Sequence, residues 1–309
     1  MKTSVRAGLA GVLACGVIGA AIGIGRGGDD AGSAPPKGPY VALGDSYTAG
    51  PKIPDQGGKP AGCDRSDHNY PALVAAGLGL DGADFRDVSC SGATLGDLSA
   101  AQSTDDGTNP AQLSALSART RLVTLGIGGN DIGFSSMIKQ CVKAGMFYFA
   151  TGSGKYLKQD APCREQYVSG NTDQVRAKIR AADARLSRTL AEVKRRAPRA
   201  RVYVIGYPAI LPSDGNGCGG EMALAPGDIA YLHDKEQQLN TMLRQRAEAT
   251  GVGYVDTYMP SVGRDACSAS GTRWIEPLLP SAPAAAVHPN ARGERGMADA
   301  VLKALHVPA

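Results

Sequence analysis

Short apolar runs alternate along the chain with longer stretches in which apolar positions recur every three or four residues. The short runs are Tyr40-Val41-Ala42-Leu43, Phe85 to Val88, Leu122-Val123-Thr124-Leu125, Val202-Tyr203-Val204-Ile205 and Gly253-Tyr254-Val255-Asp256. Their β-branched and aromatic content, bounded by turn residues, predicts five buried strands. Tyr70 to Leu80 predicts a helix. So do Val175, Ile179, Leu186, Leu190 and Val193, which repeat until Pro198, and Ile229, Leu232, Leu239, Met242 and Leu243 within 227–249. Pro110 to Ser117 predicts a short helix, and Met297, Val301, Leu302 and Leu305 mark a final one. Strands alternating with helices imply an α/β fold, a three-layer doubly wound sandwich around a five-stranded parallel sheet. Right-handed crossovers then gather the loops after strands one, two and three on one edge.

The 309 residues show no linker after residue 39, so residues 35–309 are read as a single domain. Residues 1–34 differ: Lys2 and Arg6 precede an uncharged run over 7–25 with six glycines, and Gly32-Ser33-Ala34 offers a small-x-small cut after Ala34. This predicts a secretory signal peptide and a secreted, extracellular product. An uncleaved anchor is the competing reading, and a lipid-modified Cys15 the third. With the segment removed, 30 basic residues face 27 acidic ones. That balance gives no case for a nucleic-acid partner, and the mature form is expected to have no stable membrane span and to be a monomer.

Seven cysteines less Cys15 leave Cys63, Cys90, Cys141, Cys163, Cys218 and Cys267. An even number in an exported chain predicts disulfides, with fifteen pairings open. No Cys-x-x-Cys or Cys/His cluster suggests a metal, and Gly126-Ile127-Gly128-Gly129 lacks the Lys-Ser/Thr of a phosphate loop, so neither metal nor cofactor is expected.

The first strand runs into Gly44-Asp45-Ser46-Tyr47-Thr48-Ala49-Gly50, which places Ser46 at a strand's carboxyl end as the candidate nucleophile. Cys90-Ser91-Gly92-Ala93-Thr94, Gly128-Gly129-Asn130-Asp131 and His288-Pro289-Asn290 follow in order. These four blocks resemble those of the SGNH, or GDSL, hydrolases over about residues 39–306, and within them the secreted actinobacterial esterases and lipases with six paired cysteines. The resemblance implies a flavodoxin-like sheet and disulfides 63–90, 141–163 and 218–267. That is also the pairing with the shortest loops.

A serine hydroxyl needs a base, and imidazole suits that task near neutral pH. His68, His233 and His306 are read as surface or packing residues, whereas His288 matches the family's general base. Ser46, Gly92 and Asn130 match its oxyanion donors: two backbone N–H groups and a side-chain amide. The family's Asp three residues before the histidine is here Ala285, and no acid occurs between Glu276 and His288. In some secreted relatives a backbone carbonyl takes that place. The expectation is therefore a Ser-His dyad with the Ala285 carbonyl orienting His288, and Asp256 as second candidate.

The implied activity is hydrolysis of a small-molecule or lipid ester through an acyl-serine. A carbohydrate O-deacetylase and a non-catalytic cell-surface binding protein are the rivals. Residues 134–163 hold Phe134, Phe147, Phe149, Tyr148, Met137 and Met146, either a satellite core under a disulfide loop or a wall for an acyl chain.

Overall fold

The computed structural model describes residues 35–36, 38–151, 160–213 and 218–307. The expected signal segment, its cut after Ala34 and Cys15 lie outside them. Five parallel strands form the sheet: β1 (Tyr40–Gly44), β2 (Phe85–Asp87), β3 (Leu122–Gly126), β4 (Arg201–Ile205) and β5 (Gly253–Val255). Their order is β2-β1-β3-β4-β5. β1 and β3 pair from Tyr40 opposite Leu122 to Gly44 opposite Gly126, so both end level. Gly44 is required there, because a Cβ would lie 2.6 Å from the Gly126 carbonyl oxygen.

Alternation along the strands feeds two cores. Val41, Leu43, Val123, Leu125, Val202 and Val204 pack on one face, against α4 (Gln174–Arg196) and α5 (Pro226–Thr250). Tyr40, Ala42, Leu122, Tyr203 and Ile205 pack on the other, against α2 (Tyr70–Gly77) and α6 (Ala291–Ala304). Complete burial of a side chain such as Leu43 or Leu125 contributes roughly 1.5–3 kcal/mol. The expected three-layer α/β sandwich is therefore present, and helices on both faces leave the strand ends as the open edge.

Two stretches depart from expectation. Residues 134–150, for which the sequence pattern predicts no helix, form a 17-residue one, α3 (Phe134–Ala150). Its apolar residues lie on both sides, with Met137, Ile138, Cys141 and Tyr148 buried and Met146 and Phe147 exposed, which blurs the helical period in the sequence. Pro110 to Ser117 forms only a 3₁₀ turn, Gln112–Ala115. That turn still matters to the edge. The buried Gln112 amide accepts the Gly44 N–H at 2.8 Å and donates to the Gly44 carbonyl at 2.9 Å, prolonging the pairing at the end of β1.

The disulfides join Cys63 to Cys90, Cys141 to Cys163 and Cys218 to Cys267. The first ties the loop after β2, which leads to Gly92, to the long 50–69 loop. The second closes the segment after α3. Among the described residues, no helix is long and apolar enough to cross a membrane.

Candidate active site

Asp45 leaves β1 and caps the one-turn helix α1 (Ser46–Ala49) by accepting the Tyr47 N–H at 3.0 Å. Gly50 closes the turn at φ 73°, donating its N–H to the Ser46 carbonyl. This turn holds Ser46 at the sheet edge, where His288 Nε2 lies 2.8 Å from its Oγ across 242 residues of chain. The other ring nitrogen, Nδ1, lies 2.8 Å from the carbonyl oxygen of Ala286. A carbonyl only accepts, so Nδ1 carries the proton and Nε2 presents its lone pair to the Ser46 hydroxyl.

The orienting carbonyl is thus that of Ala286, not of Ala285. Ala285 is engaged elsewhere, donating its N–H to the Pro51 carbonyl at 3.0 Å. Val287 explains the shift: its φ of 60° reverses the chain and brings the carbonyl two residues before the histidine, not three, onto Nδ1. That conformation is costly for a β-branched residue and needs external support. Tyr47 supplies some of it, donating its hydroxyl to the Val287 carbonyl at 2.6 Å, with its ring 5.0 Å from the imidazole. Glu276 supplies the rest. Its backbone exchanges bonds with Val287 N–H and His288 C=O, each 3.0 Å, while its buried carboxylate accepts from Ser281 N–H, Ala282 N–H and Asn290 Nδ2. Burial alone raises such a carboxyl, but those donors override it and its pKa is lowered.

Ser46, Gly92 and Asn130 are the three oxyanion donors expected from the sequence. The N–H groups of Ser46 and Gly92 have no acceptor within the described residues, and Gly92 adopts φ 78°, which disfavours a side chain. Asn130 uses one amide hydrogen on the Ala93 carbonyl at 2.9 Å, which leaves the second free. Asp131 ties the same two loops together by accepting the Leu95 N–H at 2.9 Å. Beneath them, the Tyr207 hydroxyl donates to Asp45 Oδ2 at 2.5 Å and accepts from the Gly129 N–H at 2.8 Å. Burial pushes the Asp45 carboxyl up to about 7, against the opposing bonds from Tyr207 and Tyr47.

Ser46 and His288 open onto a cavity of about 600 Å³. Phe134, Ile138 and Val142 of α3 form one wall, and Leu278 and Val287 the other. Within the Phe/Met-rich stretch, Met137 and Tyr148 are buried and Phe134 lines the cavity.

Asp256 is not at the imidazole. It is exposed, and one carboxylate oxygen accepts the Tyr258 and Met259 N–H groups at 2.8 and 3.0 Å. His68 pairs with Asp67, His233 bonds the Tyr258 hydroxyl, and His306 is exposed at the end of α6. Gln112, Tyr207 and Glu276 were not singled out as parts of the site from the sequence, because each acts through partners that no local motif marks. The two clearest pairs, Gln112 with Gly44 and Tyr207 with Asp45, span 68 and 162 residues.

A parallel α/β sandwich with a serine and an imidazole in contact at its switch point, above an apolar cavity, belongs among the carboxylic ester hydrolases. Residues 42–295 match the GDSL-like lipase/acylhydrolase family, and the chain is a member of it. Lipase 2 of Streptomyces coelicolor is 41% identical over 268 residues, covering 86% of this chain and 85% of that protein. Among solved structures, a phospholipase A1 from Streptomyces albidoflavus NA297 is 30% identical with TM-score 0.68, covering 86% of this chain and 98% of its own. An extracellular lipase from Streptomyces rimosus is 27% identical with TM-score 0.66, covering 87% and 100%.

Burial is the main influence on His288 and lowers its pKa; the Ala286 hydrogen bond opposes this and the charge of Lys52 adds to it. A lowered value keeps the imidazole neutral further into acid. The acid limb of kcat/KM is accordingly expected to have its midpoint below about 6.5, the ordinary histidine value. A pH profile on a soluble ester checks this, and a midpoint at or above that value would show a solvated ring. Asp256→Asn is expected to lower kcat less than tenfold, since Asp256 touches only backbone. A loss near the ~10⁴ typical of an orienting triad carboxylate would place it at the imidazole after all.

Proposed function

We propose that the protein is a secreted esterase of fatty-acyl substrates that works through an acyl-Ser46 intermediate with His288 as its base. The observation that carries this reading is the 2.8 Å contact between His288 Nε2 and Ser46 Oγ at the mouth of the apolar cavity. His288 takes the hydroxyl proton as Oγ bonds to the ester carbonyl carbon. The oxygen that becomes negative receives the N–H groups of Ser46 and Gly92 and the free amide hydrogen of Asn130. Collapse breaks the bond to the alcohol, which leaves with the proton held by His288. Water then attacks the acyl-serine, giving a proton to His288, and as the bond to Ser46 Oγ breaks and the acid is released, His288 returns that proton to Oγ. The Ala286 carbonyl fixes the tautomer throughout, making the pair a dyad with a neutral orienter.

A cavity of about 600 Å³ walled by Phe134, Ile138, Val142 and Leu278 suits an alkyl chain better than the acetyl group of a carbohydrate deacetylase. Export is supported by the basic, then apolar, first 34 residues and by three disulfides, which persist in oxidising compartments.

On p-nitrophenyl esters from acetate to palmitate, kcat/KM is expected to rise above the acetate value as the chain lengthens. Acetate as the best substrate would favour the deacetylase. Ser46→Ala is expected to abolish turnover and fluorophosphonate labelling while the protein stays folded; persistent labelling would place the nucleophile on another serine.

A further inference from the structure

The face of α3 that lines the cavity, with Ile138, Lys139, Val142 and Lys143, does not stop at its rim. Met146 lies seven residues beyond Lys139 and Phe149 seven beyond Val142, so both fall on that same face, and Phe147 follows Lys143 by one turn. Met146 and Phe147 are each 61% exposed and Phe149 40%. On the facing wall Leu278 lines the cavity while its neighbour Leu279 is 86% exposed. Large apolar side chains bared around one mouth are a feature of association surfaces. Basic charge sits beside these apolar residues, while the Asp160 carboxylate is held by the Tyr148 hydroxyl at 2.9 Å. Lys139 and Lys143 are the only charged residues of α3, 277–287 has none, and Lys52 acts on His288 from nearby.

We propose that this rim docks on an anionic phospholipid surface, with Met146, Phe147 and Leu279 entering the acyl region and Lys139 and Lys143 meeting phosphates. The proposal rests on the ester-hydrolase reading of the cavity. A bilayer fits better than a protein partner because Ile138, Val142, Met146 and Phe149 follow one another at helical spacing from the cavity wall to the rim, a course that a lipid chain can follow.

Co-sedimentation with phosphatidylcholine vesicles, with and without phosphatidylglycerol, tests it. Binding is expected to be stronger with phosphatidylglycerol and to weaken with salt. Met146→Ser/Phe147→Ser is expected to weaken vesicle binding at least tenfold while hydrolysis of dissolved p-nitrophenyl butyrate stays unchanged; Lys139→Glu/Lys143→Glu is expected to remove the phosphatidylglycerol preference. Three results overturn the proposal: no vesicle binding, equal binding by the Met146/Phe147 variant, or its loss of dissolved-ester turnover. The dissolved-ester assay reports separately on the hydrolase reading.

A second inference comes from the peptide between Ser91 and Gly92. Gln102, on a short hairpin of 102–104 with 107–109, donates its Nε2–H to the Ser91 carbonyl at 2.8 Å. In a planar trans peptide the Gly92 N–H points opposite to that carbonyl. We infer that Gln102 is a positioning residue that aims the Gly92 N–H at the oxyanion. Gln102→Leu, or the isosteric Gln102→Glu that cannot donate once ionised, is expected to lower kcat about tenfold or more and to weaken binding of a boronic acid analogue in proportion, with KM within about twofold. An unchanged kcat, or a loss that appears in KM, overturns this.

Discussion

Ser46 and His288 meet across 242 residues of chain, and their contact depends on how Glu276 holds the loop between β5 and α6. A carboxylate with no exposure to water is tolerated only when its oxygens are satisfied, and four donors, Ser281 N–H and O–H, Ala282 N–H and Asn290 Nδ2, satisfy them. Two backbone bonds add a rung on each side of Val287, which holds that residue at a φ its side chain resists. The imidazole is therefore set by a lattice of local bonds rather than by a charged partner of its own. Tyr47 links that lattice to the α1 turn, so the loop and the serine are positioned as one unit.

Fixed negative charge is scarce around Ser46. The orienter of His288 is a neutral carbonyl, and the carboxyl of Asp45, next to the serine in sequence, is pushed up to about 7 by burial. Both features suit a site whose proposed intermediate is an anion, because an ionised carboxylate in a poorly solvated pocket opposes a second negative charge nearby. Tyr207 shares the Asp45 oxygen and the Gly129 N–H, so the same group that tempers this carboxyl also anchors the loop of Asn130.

Much of this was legible in the sequence where local chemistry dictates local shape. β-branched runs, glycines at strand ends and an Asp before a one-turn helix can be read directly, and so the five strands, the Ser46 turn and the 288 block fall where expected. The helix α3 was not, since Met146, Phe147 and Phe149 on its exposed side blur the period set by Phe134, Met137, Ile138 and Cys141. The Ala286 carbonyl was displaced by one residue from expectation because the reversal at Val287 is unusual for valine. Gln112, Tyr207 and Glu276 are polar residues whose meaning lies in distant partners, and no spacing along the chain encodes that.

The two border strands of the sheet, Phe85–Asp87 and Gly253–Val255, are each three residues long. Border strands are where one sheet recruits another, because their outer N–H and C=O groups have no neighbour. Stubs of this length offer few such groups, and the active-site edge loops begin immediately beyond them. The fold thus carries its own resistance to strand-to-strand aggregation, which lets the chain keep a bare apolar rim at one end without a matching liability along its sides.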